Sequence, residues 1–262
     1  MLLSRDDQRS QSIECDIHDE RSVADALTGA YAAVNAVSLY VEHGQETFHS
    51  VHVASATRVA AQAHTAGLER LVHVSGIGAD PGSRSLYIRK RGEGELAVRS
   101  TFADATLVRP AVMFAPDDAF LTTVVSLLRR LPVYPMFGRG RTRLQPVCAD
   151  DVAEAIARAL QSTQPQARTF ELGGPRVYSY EEFLRTVARE ANLSPVLVPV
   201  PFAAWHALAG IAEILPSAPI TRNQVELMQI DTVASPEMPG FGDVGIAPRA
   251  VEAILRRMLS NQ

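Results

Sequence analysis

The sequence predicts an α/β protein built on a parallel, doubly wound sheet, with a smaller and mostly helical lobe after it. In the first half, short apolar runs rich in β-branched residues alternate with longer helical segments, and the connections are short. Strands that alternate with helices in this way form right-handed βαβ units, whose strands are parallel. In the second half helical patterns predominate. The composition, 47% hydrophobic and 21% charged over 262 residues, is that of an ordinary globular protein.

Several segments of the first half have the length and composition of strands. The segment 32–37 is almost wholly apolar, as expected for a strand that is buried on both faces. The predicted strands are 12–17, 32–37, 70–75 and 105–112. The helices predicted between them are 20–27, 47–66 and 88–99, and Gly67 has the position of a C-cap glycine.

The second half has a different pattern. A loop rich in proline, glycine and arginine is predicted over 132–143, and a strand over 169–172. Asp150 and Asp151 precede an apolar helical run and are interpreted as its cap and first-turn charge. The other predicted helices are 120–130, 180–191, 202–215, 222–229 and 248–259. We therefore divide the chain into 1–113 and 114–262, with the last strands of the sheet interleaved with the helical lobe of the second region.

Composition excludes several classes of function. With 25 Lys and Arg against 29 Asp and Glu, the chain lacks the basic excess typical of nucleic-acid binders. Two cysteines, Cys15 and Cys148, exclude a disulfide scaffold and fit a reducing, cytoplasmic compartment. No uncharged apolar window has the length of a transmembrane helix, although a position at the membrane surface stays open. The seven histidines lack metal-binding spacings, so no metal site is predicted.

Ser75, Tyr87 and Arg91 are the candidate catalytic residues. Ser75 ends a predicted strand, Tyr87 begins a helix, and Arg91 lies four residues further along on the same helix face. A cation beside a phenol favours phenolate, so we expect a lowered tyrosine pKa suited to proton transfer. Taken singly, each residue also fits an ordinary structural role: Ser75 as a turn residue, Tyr87 as an aromatic residue at a helix start, and Arg91 as a solvated charge.

These residues and several other motifs resemble the extended and atypical short-chain dehydrogenase/reductase superfamily, which includes NAD-dependent epimerases and dehydratases. The shared motifs are Ser75, Tyr87-x-x-x-Arg91, Gly94-Glu95, 108–110 and 145–152. A narrower resemblance is to the atypical group related to alpha subcomplex subunit nine of respiratory complex I. The motifs that carry it are 73–80, 138–140 with 143–146, 170–175 and 221–227.

The resemblance implies a Rossmann-type fold that binds NAD(P)(H), and an accessory role in complex I or another quinone-linked respiratory pathway. The alternative is an active reductase, epimerase or dehydratase that uses NADP(H) on an anionic small molecule such as a sugar nucleotide. In that enzyme Tyr87 would be the acid/base, Ser75 would orient the carbonyl, and Arg91 would be the charge partner. Because the superfamily has lysine where this chain has Arg91, which never deprotonates in practice, whether catalysis occurs is left open.

A second departure lies at the N-terminus. Dinucleotide-binding folds begin with a strand, a glycine-rich turn and a helix, and no such element precedes the first predicted strand. Residues 2–6 instead resemble the tail of the second strand, where Arg5 would meet a 2′-phosphate and favour NADP(H). By resemblance, the remaining cofactor-binding residues are Asp16, Ile17, Asn35, Ala36, Val37, Ser75, Tyr87, Arg91, Pro110, Ala111 and Val112. We expect the chain to be truncated by about 30 residues, and its dinucleotide binding to be impaired.

Two further patterns have alternative interpretations. An arginine-rich stretch could contact a substrate phosphate or carboxylate, or it could be a solvated surface, which is the commoner case. Its members are Arg129, Arg130, Arg139, Arg141 and Arg143. Trp205, Leu208, Ile211 and Leu215 form an apolar stripe at helical spacing. That stripe could face lipid or quinone, but core packing is the commoner explanation and is the one we favour.

Overall fold

The computed structural model describes residues 12–116, 118–162, 168–215 and 218–260. The described residues form two compact units. The first takes in those up to Pro110 together with 155–171, and the second takes in 111–154 together with those from Leu172 onward.

The strands described are β1 (Ala32–Asn35), β2 (Arg70–Val74), β3 (Thr106–Pro110), β4 (Met113–Phe114), β5 (Val133–Phe137), β6 (Arg143–Leu144), β7 (Val147–Cys148), β8 (Thr169–Leu172), β9 (Tyr178–Ser179) and β10 (Val196–Val200). The α-helices described are α1 (Glu20–Leu27), α2 (Ala56–Thr65), α3 (Leu86–Thr101), α4 (Ala119–Arg130), α5 (Ala149–Gln161), α6 (Tyr180–Glu190), α7 (Phe202–Ala212), α8 (Arg222–Leu227) and α9 (Val251–Ser260). A π-helix (Ser50–Ser55) precedes α2, and a short 3₁₀ helix covers Phe241–Val244.

The main sheet has the strand order β1-β2-β3-β8. β1 pairs with β2 and β2 with β3, both in parallel. Along the β3–β8 pair, Leu107 N donates to Arg168 O, and four residues further on Ala111 N donates to Leu172 O. Bonds that advance together along both strands mark a parallel pair. The predicted α/β class with a parallel central sheet is therefore confirmed.

The first unit has a core built around small side chains. Ala56, Ala60 and Ala63 of α2 are almost completely buried at i, i+4 and i+7, so this helix lies close to the sheet. Leu71 of β2 and Val98 of α3 fill the same core. Burying a side chain of this size contributes about 1.5–3 kcal/mol, so these contacts orient α3 against the sheet.

The second unit has its own core, to which α4, α6 and α9 contribute. α6 begins with a capping box, in which Ser179 and Glu182 bond each other's backbone N–H. The predicted loop 132–143 is partly wrong, because Val133–Phe137 forms β5 and pairs in parallel with β10. Proline at position 135 obscured that strand, yet a two-stranded sheet consists of edges, where proline is tolerated.

Two further expectations are wrong. The segment 12–17 contains no strand: Ile13 is 51% exposed, and Asp16 N bonds the Ser22 side chain at the start of α1. The segment has strand-like composition, but it has no ladder partner among the described residues. The apolar stripe is not core either, because Leu208 and Ile211 are exposed.

Within the described ranges, no helix is both long enough and apolar enough to cross a membrane.

Candidate functional site

The candidate site of the first unit lies where three neighbouring strands end. Asn35 is the last residue of β1 and is buried, Ser75 follows β2, and Pro110 ends β3. Ser75 N donates to Val108 O at 2.7 Å, and Ile77 N donates to Pro110 O at 3.1 Å, so pairing continues past the end of β2. Carboxyl ends of parallel strands share one edge of a sheet, which is where open α/β folds bind ligands.

Tyr87 enters this site from the first turn of α3. Its side chain is only 3% exposed and is packed among other rings. The Tyr40 ring stacks on it at 5.6 Å, and Phe48 and His52 meet it edge-on at 5.3 and 5.5 Å. His52 is presented by the π-helix, a local irregularity that often marks functional sites. The phenol is thus fixed in position by aromatic contacts.

Arg91 lies one turn further along α3 and is also buried, with 9% exposure. Its guanidinium carbon lies 5.1 Å from the centroid of the Tyr87 ring, as the i, i+4 spacing predicts. Nη2 donates to Ser38 Oγ at 3.1 Å, just beyond the end of β1. A side chain at Gly76 would collide with Nη1, so the glycine after β2 makes room for the guanidinium. The cation therefore spans the ends of two strands.

No carboxylate pairs with Arg91 in the part of the chain that the structure describes. The acid one turn away, Glu95, is bound in a bidentate pair by Arg109 at 2.6 and 2.8 Å. Arg109 also contacts Glu171 at 3.3 Å. Glu95 and Glu171 are thus neutralised by a strand residue, Glu93 of α3 is paired with Lys90, and no described carboxylate compensates the charge of Arg91.

Two buried histidines near Arg91 are neutral at physiological pH. Burial, and then the positive charge of Arg91, lower the pKa of His52 to about 4, against the opposing effect of the Leu39 carbonyl. The same two causes, joined by His52, lower the pKa of His73 to about 3. The histidines therefore add no charge, and among the described residues Arg91 is the one buried positive charge of this cluster.

The expected lowering of the tyrosine pKa is wrong for this structure. Burial raises the pKa of Tyr87 above its ordinary value, and the charge of Arg91 opposes this only in part. The phenol is consequently protonated at neutral pH. Its hydroxyl, near the Ser38 and Tyr40 side chains, makes no hydrogen bond of good geometry.

Several other buried polar atoms also lack hydrogen-bond partners in this structure. They include Ser75 Oγ, His73 Nδ1 and Arg91 Nε. Buried polar groups without partners are uncommon in native proteins. Unsatisfied polar atoms around an uncompensated cation fit a polar, anionic ligand.

The remaining predicted residues are distributed differently. Arg5 lies outside the described residues. Asp16 is exposed and Ile17 is partly buried ahead of α1, where the Ile17 carbonyl accepts from Arg58. No hydrogen bond or ion pair between described residues joins Asp16 or Ile17 to Arg91 or Tyr87. Ala36 and Val37 follow β1 and are exposed. Ala111 and Val112 belong to the second unit, where the Val112 carbonyl accepts from Val147 N.

Sequence reasoning missed Ser38, Tyr40, His52 and Gly76 as parts of the site. Ser38 and Tyr40 lie a few residues after β1 and belong to no recognisable sequence motif. His52 lies in the π-helix Ser50–Ser55, which the hydrophobic periodicity of the sequence does not reveal. Gly76 was visible only as part of the loop after Ser75, although its lack of a side chain is what admits Arg91.

Comparison with known proteins gives three findings. A family model described as NAD(P)H-binding matches residues 3–163, more than half of the chain. NADH dehydrogenase [ubiquinone] 1 alpha subcomplex subunit 9 of Rattus norvegicus is 28% identical over 251 residues, covering 94% of this chain and 66% of that protein. Ceramide reductase of Caulobacter vibrioides is 27% identical over 188 residues, covering 71% of this chain and 58% of that protein. The chain thus spans less than two thirds of either relative.

Among solved structures, the NADP(H) complex of triphenylmethane reductase from Citrobacter sp. superimposes with a TM-score of 0.71 at 14% identity. The match covers 93% of this chain and 82% of that one. At this identity the likeness concerns the fold alone, and it is a Rossmann-type NAD(P)-binding fold.

Proposed function

The chain belongs to the NAD(P)H-binding family, which confirms the resemblance predicted from its motifs, and its cofactor is a nicotinamide dinucleotide. From this premise we propose that the protein retains NAD(P)H as an accessory factor of quinone-linked respiratory NADH oxidation, in the cytoplasm. The single observation that carries the proposal is the buried, uncompensated Arg91 at the carboxyl ends of β1 and β2. A buried charge without a counter-charge is costly, and an anionic ligand offsets that cost.

The residues present fit such a ligand. Arg91 would supply positive charge to the anionic dinucleotide, and Ser75 Oγ and His73 Nδ1 would supply hydrogen-bonding groups that have no other partner. Gly76 keeps the backbone beside the guanidinium free of side chain. A bound nicotinamide supplies hydride chemistry, which the protein residues themselves do not.

Retention without turnover is favoured over catalysis for two reasons. Arginine at position 91 does not take part in proton relay, because its guanidinium does not deprotonate. Burial also raises the pKa of Tyr87, so a phenolate that could accept a proton is scarce. A place beside respiratory complex I is suggested by the relative from Rattus norvegicus.

The second candidate is an active reductase of an anionic small molecule, or an epimerase or dehydratase of similar substrates. The observation that favours it is the pair of buried hydroxyls, Ser75 Oγ and Tyr87 Oη, neither of which makes a hydrogen bond of good geometry. In the direction of reduction, a protonated Tyr87 would donate to the carbonyl oxygen, and for that role a raised pKa is acceptable. Ceramide reductase of Caulobacter vibrioides, which is about as similar to this chain as the subunit 9 relative is, has the name of an enzyme.

The test begins with the dinucleotide. The protein is expressed from its full reading frame, the co-purifying nucleotide is identified by mass spectrometry, and NADPH and NADH are titrated calorimetrically. Hydride transfer to a panel of carbonyl compounds is then followed at the nicotinamide absorbance. Tight binding without turnover supports the accessory role. Turnover that is lost in Tyr87→Phe with unchanged cofactor affinity supports the enzyme, and absence of any dinucleotide binding contradicts both.

The respiratory assignment needs its own measurement. In the native host, deletion of the gene should lower the NADH:ubiquinone oxidoreductase activity of membranes, and re-expression should restore it. Equal activities with and without the chain would contradict the accessory role.

One finer expectation accompanies the cofactor. Arg5 predicts tighter binding of NADPH than of NADH, and Arg5→Asp should narrow or reverse that difference. Equal affinities for the two cofactors would contradict that expectation.

A further inference from the structure

The outer face of α7 and of the turn after it is apolar and exposed. Leu208 is 50% exposed, Ile211 68%, Ile214 81% and Leu215 58%. The opposite side of the helix is apolar as well, because Ala209 and Ala212 are buried in the second unit. A helix that is apolar all round is normally covered on every side. In α7 one side is packed against its own unit and the other is not.

The helix is firmly attached to its unit. The Trp205 ring lies 4.4 Å from that of Phe137, and Trp205 Nε1 donates to the Met136 carbonyl at 3.1 Å. Gly138 lies against the ring of Phe202, with no room for a side chain at that position. The exposed face is thus presented on a fixed helix.

Two arginines lie at the N-terminal end of this helix. Arg139 and Arg141 line an apolar pocket together with Pro199, Pro201 and Phe202. Both are exposed, and across the described ranges neither forms an ion pair or a side-chain hydrogen bond. The loop after β5 therefore carries two free positive charges beside an apolar surface.

Two acidic side chains near this surface are already paired with arginines. Glu213, in the turn after α7, accepts from Arg222 N and pairs with its guanidinium at 3.5 Å. Glu181, whose backbone lies against Gly140, pairs with Arg185 at 2.7 Å. Neither of these two acids therefore compensates Arg139 or Arg141 at the N-terminal end of α7.

We propose that this face binds the surface of an anionic phospholipid bilayer, with α7 lying in the interface and Arg139 and Arg141 contacting headgroup phosphates. An apolar strip bordered by cations has the chemistry of helices that lie in the plane of a bilayer. A second copy of the chain complements the face less well, because a twofold contact pairs the face with itself, and Glu213 and Glu181 are already paired with Arg222 and Arg185. The proposal does not depend on the dinucleotide site.

Co-sedimentation with vesicles tests the proposal. Wild-type protein should bind vesicles of phosphatidylcholine mixed with phosphatidylglycerol, should bind pure phosphatidylcholine weakly, and should be released by salt. Arg139→Gln combined with Arg141→Gln should weaken binding by about fivefold for each arginine. Ile211→Ser combined with Ile214→Ser should weaken it by about tenfold for each isoleucine.

Matched controls separate this face from general surface properties. Leu96→Ser removes an apolar side chain that is 59% exposed on α3, and Arg256→Gln removes an exposed arginine that is already paired with Glu190. Both should bind vesicles as the wild type does. The proposal is overturned if the wild type does not sediment with anionic vesicles or if the controls lose as much as the test variants. It is also overturned if light scattering shows a dimer that Ile211→Ser dissociates while vesicle binding is unaffected.

Discussion

Replacing Arg91 by glutamine should separate ligand binding from folding. Arg91 contributes the only positive charge found in the buried cluster among the described residues, and it faces no carboxylate. Removing it takes away the electrostatic attraction for an anionic dinucleotide. It also takes away a charge that is costly to bury in the ligand-free protein. The substitution should therefore weaken dinucleotide binding without lowering the stability of the ligand-free protein, and the two quantities can be measured separately.

The magnitudes follow from the contacts. A charge-assisted hydrogen bond contributes about 1.5–3 kcal/mol, so Arg91→Gln should weaken dinucleotide binding by about tenfold to about a hundredfold. In the ligand-free protein the variant loses the bond to Ser38 and the contact with the Tyr87 ring, about 0.5–2 kcal/mol for the latter. The desolvation of a buried ion costs several kcal/mol. We therefore expect the Tm without ligand to be unchanged or higher.

The assay is calorimetric titration of NADPH, paired with thermal unfolding of the ligand-free protein. Arg91→Lys, which keeps the charge, should bind better than Arg91→Gln. The control is Arg89→Gln on the same helix, whose guanidinium donates to Ser83 O and lies 3.9 Å from Glu93. The reasoning is refuted if Arg91→Gln binds as tightly as the wild type, or if Arg89→Gln loses as much affinity.

Three further predictions concern stability. His52 and His73 have depressed pKa values, so the unfolded chain binds protons below about pH 6.5 that the folded chain does not. The free energy of unfolding should fall as the pH drops from about 6.5 toward 4, by about 2 kcal/mol for each histidine at pH 5. Denaturant unfolding at a series of pH values measures this fall, and His52→Gln should make it shallower. Gly94→Ala should destabilise the protein by about 1–3 kcal/mol, because the new methyl group meets the His52 carbonyl, whereas Gly82→Ala has only ordinary contacts and should be tolerated. Glu95→Gln should cost about 3–5 kcal/mol because it breaks a buried ion pair, and an unchanged urea midpoint would contradict that.

Much of the fold followed from local pattern. The helix Glu20–Leu27 and the strand Thr169–Leu172 were predicted to the residue, since periodicity and capping residues act over a few positions. The parallel sheet followed from the alternation of strands and helices. The segment 12–17 and the strand Val133–Phe137 were misassigned, because whether a segment becomes a strand depends on a partner that can be distant in sequence.

In the candidate site, too, some features followed from the sequence and others depended on the tertiary structure. The sequence by itself determined that Tyr87 and Arg91 lie on one helix face, because helical geometry places residues four apart side by side. The tertiary structure alone decided that Arg91 is uncompensated, because Glu95 pairs with Arg109 on a neighbouring strand. Burial, another tertiary property, reversed the expected direction of the Tyr87 pKa.

The same division applies to the stripe on α7. The sequence determined that Leu208 and Ile211 share a face, since their spacing is helical. Which side of the helix the second unit covers was decided by the packing of Trp205 and the neighbouring alanines, which leaves that face exposed. Periodicity specifies which side chains lie together, whereas burial and charge balance depend on elements that the chain brings close only when it folds.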